Sequence, residues 1–416
     1  MGYKLLVTPY QDKIISALYD GKRMVQVSVD EKQKSQICLG GIYVGKVNNI
    51  VENINAAFVE LAPGVTAYLS LSGAVQPITA NVHADGKIHA GDELVVQVER
   101  EPVKSKLASV TCAINLTGKY AVLIHGKEEI GISSKIMDQE TREKLREFFL
   151  QYAGQGYGFI IRTNAASACQ EEMLEEIYSL QARYRKLYEN GVHRTRFSVL
   201  EGSLPAYLCG LRDQYSNLLD EIITDEVPLY QEMEAYLKEY QPKDRNKLKM
   251  YSDELPMKTL YSFEHRLREA LQKKIWLKSG ASLVVEPTEA LTVIDVNTGK
   301  AVKGRGRGEE HFLKINLEAA KEIAFQIRLR NLSGIILVDF IDMEKEESDA
   351  VLLRALREYL ASDPVKTTLV DMTPLHLVEI TRKKVRRPLH EEGFERILEN
   401  GKNECDASAC AGGDRV

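Results

Sequence analysis

The sequence lacks the features that mark a membrane-spanning or exported protein. Its 416 residues contain no run of about 18 apolar residues, so no transmembrane helix is predicted. The first residues, MGYKLLVTPYQDK, have no apolar signal-peptide core, and Leu6 stands where N-myristoylation requires Ser or Thr. We therefore expect no membrane span and a cytoplasmic location.

Cysteine is scarce, and several common motifs are missing. With no export signal, the scattered residues Cys38, Cys112, Cys169 and Cys209 are predicted to be reduced thiols rather than disulfides. The chain has no HExxH, no Ser/His/Asp signature and no zinc-finger spacing. The spacing of Gly299 and Gly304 is that of a phosphate-binding loop, but Lys and Ser/Thr do not follow, which excludes an NTPase.

An excess of basic residues is also missing. The chain has 55 Lys and Arg against 60 Asp and Glu, a net charge of −5, which taken alone argues against nucleic-acid binding. Two local basic runs stand out from this average, GKAVKGRGRG at 299–308 and TRKKVRR at 381–387. Such runs are more often only solvated surface. These two gain weight because they flank the carboxylates described below.

The order of sequence patterns indicates several domains, as the length requires. Residues 1–35 contain two apolar runs around a central Asp-Gly, which predicts a hairpin too small to fold alone. Five short strand-like runs at 36–118 predict a small barrel of the OB kind. Residues 119–202 mix strands with two amphipathic helices, and 205–276 are predicted to be mainly helical.

Residues 281–380 follow an α/β pattern. The strand LTVIDV is followed by a helix with an apolar face and then by SGIILVDF, a nearly continuous apolar strand typical of a buried parallel sheet. Strand, helix and strand form a βαβ unit with parallel strands. A further helix and the strand TTLVDM come next.

Two aspartates lie near the ends of the parallel strands of this unit, Asp295 in LTVIDV and Asp339 in IILVDF. Ligands of open α/β sheets bind at the carboxyl ends of the strands, and two carboxylates converging there fit Mg²⁺ with waters and a substrate phosphate. Asn297 would bind the scissile phosphate or a water of the metal. The alternative is that the aspartates cap helices or form ion pairs, and Asp342 is a third candidate. The chemistry indicated is phosphodiester hydrolysis.

At these residues the sequence resembles a known family. The segments ALTVIDVNTGKAVKGRG, NLEAAKEIAFQIRLRNL and IILVDFIDM closely resemble the catalytic domain of ribonucleases E and G. The segment GIYVGKVNNIVENINAAFVELAPGVTAYLSL resembles that family's RNA-binding OB domain, of the ribosomal S-one type, and GFIIRTNA resembles part of its sensor for RNA 5′ ends. The resemblance extends from residue 1 to about 390.

The resemblance implies a multidomain α+β and α/β fold. Its parts would be a ribonuclease-H-like structural domain from 1–35 and 203–270, an OB-fold barrel at 36–118, a 5′-end sensor at 119–202, a DNase-I-like catalytic domain at 271–395 and a tail at 396–416. It also implies a magnesium-dependent endoribonuclease that cleaves single-stranded RNA in ribosomal RNA maturation and messenger RNA decay, assembled as a homodimer.

The family's site residues map onto particular positions. Asp295 and Asp339 match its metal-binding aspartates, and Asn297 matches its catalytic-site asparagine. A second group matches its RNA-contacting positions: Arg162 and Thr163 for the 5′-monophosphate, and Phe58, Tyr68 and Lys106 in the barrel. Stacking aromatics and a phosphate-binding Arg suit single-stranded RNA.

Three departures from the family pattern bear on these expectations. Ser134 and Lys135 follow Gly131-Ile132-Ser133, where the family usually has an Arg that supports the sensor. The zinc link of the family uses a C-P-x-C pair, whereas Cys405 and Cys410 have four residues between them, a spacing that can still bind zinc. The sequence ends at Val416, before the small C-terminal domain of longer members, so weaker or different dimerisation is expected.

Two other functions compete with the nuclease hypothesis. One is a noncatalytic RNA-binding paralogue of the same fold, against which the intact set of Asp295, Asn297 and Asp339 argues. The other is a DNA nuclease, which an OB barrel with a 5′-end sensor makes less suitable, because that pair suits flexible RNA.

Overall fold

The structure is a computed structural model that describes residues 2–32, 37–73, 75–81, 83–102, 107–154, 156–213, 219–299 and 308–394. The chain forms two compact units. Unit 1 comprises Met1–Asp30 and Asn217–Val416, and unit 2 comprises Glu31–Ser216. Among the helices within these ranges, none is long and apolar enough to cross a membrane.

The β-strands of the described ranges are numbered in chain order. They are β1 (Tyr3–Tyr10), β2 (Lys13–Asp20), β3 (Arg23–Glu31), β4 (Ile42–Val51), β5 (Ala56–Ala62), β6 (Val65–Ser70), β7 (Glu93–Arg100), β8 (Ala108–Thr111), β9 (Asn115–Thr117), β10 (Ala121–His125), β11 (Ile130–Ile132), β12 (Tyr157–Ile161), β13 (Val199–Glu201), β14 (Leu219–Thr224), β15 (Leu248–Met250), β16 (Lys274–Trp276), β17 (Ser282–Pro287), β18 (Leu291–Asn297), β19 (Gly334–Asp339), β20 (Thr367–Met372) and β21 (Leu377–Arg382).

The α-helices are numbered in the same way. They are α1 (Gln139–Leu150), α2 (Gln170–Gly191), α3 (Ala206–Asp213), α4 (Val227–Tyr240), α5 (Met257–Leu260), α6 (Phe263–Leu271), α7 (Glu309–Leu329) and α8 (Glu346–Ala361).

The N-terminal strands of unit 1 find their partners late in the chain. The sheet order is β15-β14-β1-β2-β3, with β1 antiparallel to β2 and parallel to β14. Gly21 adopts φ +58° in the turn after β2, a conformation that suits glycine. The predicted hairpin is confirmed, as is its need for a later partner. Residues 205–276 are less helical than predicted, because β14, β15 and β16 lie within them.

The second sheet of unit 1 carries the predicted βαβ unit. Its order is β16-β17-β18-β19-β21-β20, and β18 and β19 are parallel while the other pairs are antiparallel. One face is buried in a hydrophobic core with α7 and α8, formed among others by Leu283, Ile294, Ile336, Ile323 and Leu352. Because successive strand residues point to opposite faces, the residues between them lie on the other face of this sheet.

Unit 2 contains a closed barrel. Strand β4 pairs with both β5 and β7, and β6 and β8 complete the ring of five strands in the order β4-β5-β6-β8-β7. Its interior holds buried apolar residues such as Val47, Val59, Leu69 and Val96. The five-stranded, OB-like barrel predicted from the sequence is therefore confirmed.

A smaller sheet completes unit 2. Its order is β11-β12-β10-β9, and the apolar faces of α1 and α2 pack on it through a core that includes Phe149, Phe159, Ile177 and Leu180. Helix α3 also belongs to unit 2, whereas the sequence-based boundary at 203 assigns this segment to the ribonuclease-H-like domain. The domain names and boundaries remain a proposal.

Candidate active site

Two carboxylates lie side by side at the end of the parallel strands of unit 1. Asp295 of β18 and Asp339 of β19 are direct register partners, on strands about 4.8 Å apart. Ile294 and Val296 on β18 and Val338 on β19 are buried in the core. Since side chains alternate along a strand, both aspartates lie on the opposite face of the sheet. The sequence-based prediction that they share one sheet edge agrees with this register.

Asn297 lies on the same face of β18, two residues beyond Asp295. Its Nδ2 donates a short hydrogen bond to Oδ2 of Asp295. This contact fixes the orientation of one carboxylate and leaves the carbonyl oxygen of the amide directed elsewhere. Asn297 is exposed, so its amide can also reach a bound ligand.

Negative charge at this edge has no compensation within the described part of the chain. Burial raises the pKa of Asp339, and the nearby charges of Asp295 and Asp342 raise it further. Among the described residues, no basic side chain forms an ion pair with any of these three carboxylates. Like charges held together in this way favour the binding of an external cation.

The donor set fits a magnesium ion better than a softer metal. The described ranges contain no group of three or more His, Cys, Asp or Glu side chains arranged around a common centre. Two carboxylates with a neighbouring amide are what Mg²⁺ uses when waters and substrate phosphates complete its shell, whereas Zn²⁺ usually takes three or four protein ligands. Asp295 and Asp339 would hold the ion.

A small, open depression lies beside this edge. Its lining includes Asp342, Asp349 of α8 and His376, the residue just before β21. Nδ1 of His376 lies 3.9 Å from Oδ2 of Asp349, and His376 has φ +59°, which is strained for a residue with a side chain. Burial raises the pKa of Asp349, opposed by His376. Local sequence patterns gave no signal for Asp349 and His376.

A separate cationic site lies in unit 2, at the end of β12. Arg162 donates from Nη1 to the Gly118 carbonyl at 2.6 Å and from Nη2 to Asp213 Oδ1 at 2.8 Å. Asp213 is also paired with Arg212. Only two of the five guanidinium N–H groups are used by the described residues, so the others can meet a ligand.

Thr163 begins a short 3-10 helix directly after Arg162, and its hydroxyl lies 3.1 Å from Ser133 Oγ. The loop that carries Ser133 is held by Arg142 of α1, which donates to the carbonyls of Ser133 and Ile136 at 2.9 and 3.0 Å. Arg142 thus supports this loop where Ser134 and Lys135 replace the usual arginine of the resembled family.

Comparison with known proteins shows which family the chain belongs to. The model of the ribonuclease E/G family matches residues 115–385. Ribonuclease G of Salmonella typhimurium is 34% identical over 406 residues, which cover 95% of this chain and 81% of that protein. The chain belongs to the ribonuclease E/G family. The resemblance inferred from the motifs is therefore confirmed.

Other members of the ribonuclease E/G family are similarly related. Ribonuclease G of Haemophilus influenzae is 33% identical over 423 residues, covering 99% of this chain and 83% of that protein. Ribonuclease E of Nostoc sp. is 30% identical over 359 residues, covering 85% of this chain and 52% of that protein. The similarity thus extends over unit 1 and unit 2 alike.

The aromatic pair that the ribonuclease E/G resemblance assigns to RNA lies on the barrel of unit 2. Phe58 of β5 and Tyr68 of β6 are register partners, and their ring centroids are 6.3 Å apart in an edge-to-face arrangement. Both rings are half-buried, while their neighbours Ala57, Val59 and Ala67 are inside the barrel. The pair therefore presents partly exposed aromatic surface on the outside of the barrel.

Four of the sequence-based assignments lie outside the described residues. These are the barrel residue Lys106, the basic segment from Lys300 to Arg307, and the candidate zinc ligands Cys405 and Cys410. The other four cysteines are free thiols, in agreement with the prediction. The burial of Cys112 raises the pKa of its thiol to about 12, so this residue is a core side chain.

Proposed function

We propose that this protein is a magnesium-dependent endoribonuclease that cleaves single-stranded RNA during RNA processing and decay. The observation that carries the proposal is the register pair of Asp295 and Asp339, with Asn297 bonded to one of them and no basic partner in the described ranges. Family membership supports it, because several relatives are named ribonucleases. In this proposal the OB-fold barrel binds the RNA, the 5′-end sensor domain binds its 5′ end, and the DNase-I-like domain cleaves it.

Each residue of the candidate active site has a definite role in this proposal. Asp295 and Asp339 would hold Mg²⁺, and Asn297 keeps the Asp295 carboxylate in place and would offer its amide to the phosphate or to a water. When bound, Mg²⁺ supplies Lewis-acid polarisation of a phosphoryl oxygen and activation of a water. Water adds to phosphorus and the bond to the 3′ oxygen breaks, which leaves 5′-phosphate and 3′-hydroxyl ends.

The sites of unit 2 would bind the RNA away from the cleaved bond. Phe58 and Tyr68 offer stacking surfaces for bases, which suits single strands of varied sequence. The unused N–H groups of Arg162 and the hydroxyl of Thr163 would bind a 5′-monophosphate. We also propose a homodimer, on the family resemblance alone.

The first test replaces each aspartate by its uncharged isostere. Asp295→Asn and Asp339→Asn should each lower kcat/KM for a 5′-monophosphorylated RNA about a hundredfold or more, because the cation loses a ligand. Addition of Mg²⁺ should raise the thermal midpoint of the wild type and not of either variant. Glu286→Gln is the matched control, since Glu286 is an exposed carboxylate on the same face of β17.

Two outcomes would overturn the proposal. Unchanged cleavage in both aspartate variants would show that Asp295 and Asp339 do not hold a catalytic metal. Tight RNA binding by the wild type without magnesium-dependent cleavage would instead identify a noncatalytic RNA-binding protein. A competition between matched RNA and DNA strands distinguishes an RNA nuclease from a DNA nuclease.

The second test concerns the RNA 5′ end. Arg162→Lys keeps the charge but loses the planar donor pair, so the preference for 5′-monophosphate over 5′-hydroxyl RNA should fall about tenfold. Cleavage of the 5′-hydroxyl RNA should stay the same. Arg185→Lys, an exposed arginine of α2, is the control. A wild-type enzyme that cleaves both RNAs equally would refute the sensor.

A further inference from the structure

The only tryptophan of the chain is largely exposed to solvent. Trp276 lies at the end of β16, the edge strand of the second sheet of unit 1, and its side chain is 59% exposed. Tryptophan is highly buried on average, because its ring carries a large apolar surface. A largely exposed indole is therefore unusual, and a binding partner that covers the ring would account for it.

The register of the sheet connects Trp276 to the candidate active site. Trp276 of β16 pairs with Ser282 of β17, and Ser282 pairs with Asn297 of β18. In the adjacent row, Lys274 pairs with Val284, which pairs with Asp295. Because directly opposite residues lie on the same face, Trp276 and Lys274 share the face of the carboxylates. Two strand spacings separate Trp276 from Asn297, about 10 Å.

The chain that leaves the active site returns toward the indole. A Cβ placed on Gly299 would lie 3.6 Å from the Trp276 ring and 2.7 Å from the Gly280 carbonyl oxygen. Gly299 also has φ +52°, so both the close carbonyl and the backbone conformation favour glycine here. Only Thr298 separates it from Asn297. The ring therefore borders the same surface as the catalytic-site asparagine.

A cation accompanies the ring. The Nζ of Lys274 lies 4.3 Å from the centroid of the Trp276 ring, in a cation–π arrangement. An aromatic face with an adjacent cation is the combination that binds single-stranded nucleic acid, the ring stacking on a base and the cation attracting the backbone. An apolar protein partner would gain nothing from the cation, so charge favours RNA as the occupant.

We propose that Trp276 is a binding residue that stacks on the base of a nucleotide neighbouring the scissile phosphate, with Lys274 beside the backbone of that nucleotide. The proposal rests on the proposed function for the position of the scissile phosphate. Stacking at this point would hold the RNA extended across the sheet, so that the phosphate meets Asp295 and Asp339. Stacking tolerates every base, so sequence preference would come from elsewhere.

Because the chain has a single tryptophan, its fluorescence reports directly on contact between Trp276 and RNA. Without Mg²⁺ and with a chelator, so that no RNA is cleaved, single-stranded RNA should quench the Trp276 emission. The quench should saturate with the dissociation constant obtained independently from the anisotropy of labelled RNA. Duplex RNA of the same sequence should quench little. Saturated RNA binding with no change in emission would refute the proposal, whether or not the enzyme cleaves RNA.

Variants then measure the size of the contact. Trp276→Ala should weaken RNA binding and raise KM about tenfold, whereas Trp276→Phe keeps a stacking ring and should stay within about threefold of the wild type. Lys274→Ala should weaken binding mainly at low salt. Tyr178→Ala, an exposed aromatic of unit 2, is the control. Equal RNA affinity in Trp276→Ala and the wild type would overturn the proposal.

Two further outcomes separate this inference from the proposed function. Emission that is quenched by RNA in a protein that never cleaves it would support the stacking contact and refute the nuclease. Emission that depends on protein concentration and is unaffected by RNA would assign the ring to a contact between copies of the chain, which would overturn the RNA contact and leave the nuclease proposal standing.

Discussion

The two charged sites of this protein differ in whether a side chain of opposite charge neutralises them within the described ranges. In unit 1, Asp295 and Asp339 lie in register with Asp342 nearby, and within the described ranges no basic side chain neutralises them. In unit 2, the charge of Arg162 is already matched by Asp213, and a second contact to the Gly118 carbonyl fixes the guanidinium.

Under the proposed function, the site in unit 1 needs a bound cation to offset its charge, whereas the charge of the site in unit 2 is already paired before a ligand binds. The carboxylates of unit 1 repel one another, so the pair does not stabilise the fold in the absence of a bound cation. The guanidinium of unit 2 is part of a hydrogen-bonded network that holds the fold together as well as the binding group. Substitutions should therefore cost activity alone in unit 1 and stability as well in unit 2.

The largest effect is expected from Asn297→Ala. Loss of the amide should lower kcat about a hundredfold to a thousandfold, as the loss of one preorganised hydrogen-bond donor does in other enzymes. The free energy of unfolding should change by less than about 0.5 kcal/mol, because Asn297 is exposed. Cleavage kinetics and urea unfolding measure the two quantities, with the exposed Asn246→Ala as control. A large loss of stability with normal kcat would show that Asn297 stabilises the fold and does not act in cleavage, contrary to this prediction.

A smaller effect, on stability rather than on kcat, is expected from Glu176→Ala in unit 2. The Glu176 carboxylate accepts hydrogen bonds from the backbone N–H groups of Lys119, Tyr120 and Ala121, at 2.6 to 2.9 Å. Their loss should lower the free energy of unfolding by about 2–3 kcal/mol. Urea unfolding measures it, and the exposed neighbour Glu175→Ala should change little. Equal stabilities of the two variants would show that these three hydrogen bonds do not stabilise unit 2.

The smallest effect is the pH dependence of the Asp213 contact. Burial alone would raise the pKa of Asp213, but Arg212 and Arg162 outweigh burial and lower this pKa overall. A lowered pKa in the folded state means that the stabilisation is present at neutral pH and is lost as the pH falls through that pKa.

The corresponding variant is Asp213→Asn. The wild type should exceed it in stability by about 1 kcal/mol at neutral pH; the difference should begin to shrink below about pH 4 and vanish only below the lowered pKa of folded Asp213. Urea unfolding across a pH series measures this, with the exposed Asp253→Asn as control. A difference that stays constant with pH would show that the charge of Asp213 is not what stabilises the site.

The sequence predicted the carboxylate pair because its determinants are local. Each strand is a short apolar run with an aspartate at or near its end, and a helix connects them. A connection of this kind makes the strands parallel, so the ends meet without further information. The barrel strands were found for the same reason, since each is defined by its own alternation and turns.

The parts that local patterns missed depend on distant partners. Strand β14 contains LDEIIT, whose charges obscure its role, and it becomes a strand by pairing with β1, more than 200 residues earlier. Asp213 meets Arg162 across 51 positions of sequence, and Thr163 meets Ser133 across 30. No spacing rule reaches that far. The exposed Trp276 gave no signal either, since only the sheet register connects it with Asn297.

The register of β18 and β19 has a consequence for the proposed metal site. A slip of one residue between these strands would place Asp339 opposite a core residue, Ile294 or Val296, and would break the carboxylate pair. The buried residues Ile336 and Val338 exclude that slip, because it would drive them to the other face. The same apolar residues that fold the sheet therefore also fix the register of the two carboxylates, and under the proposed function a chain with the shifted register would be inactive.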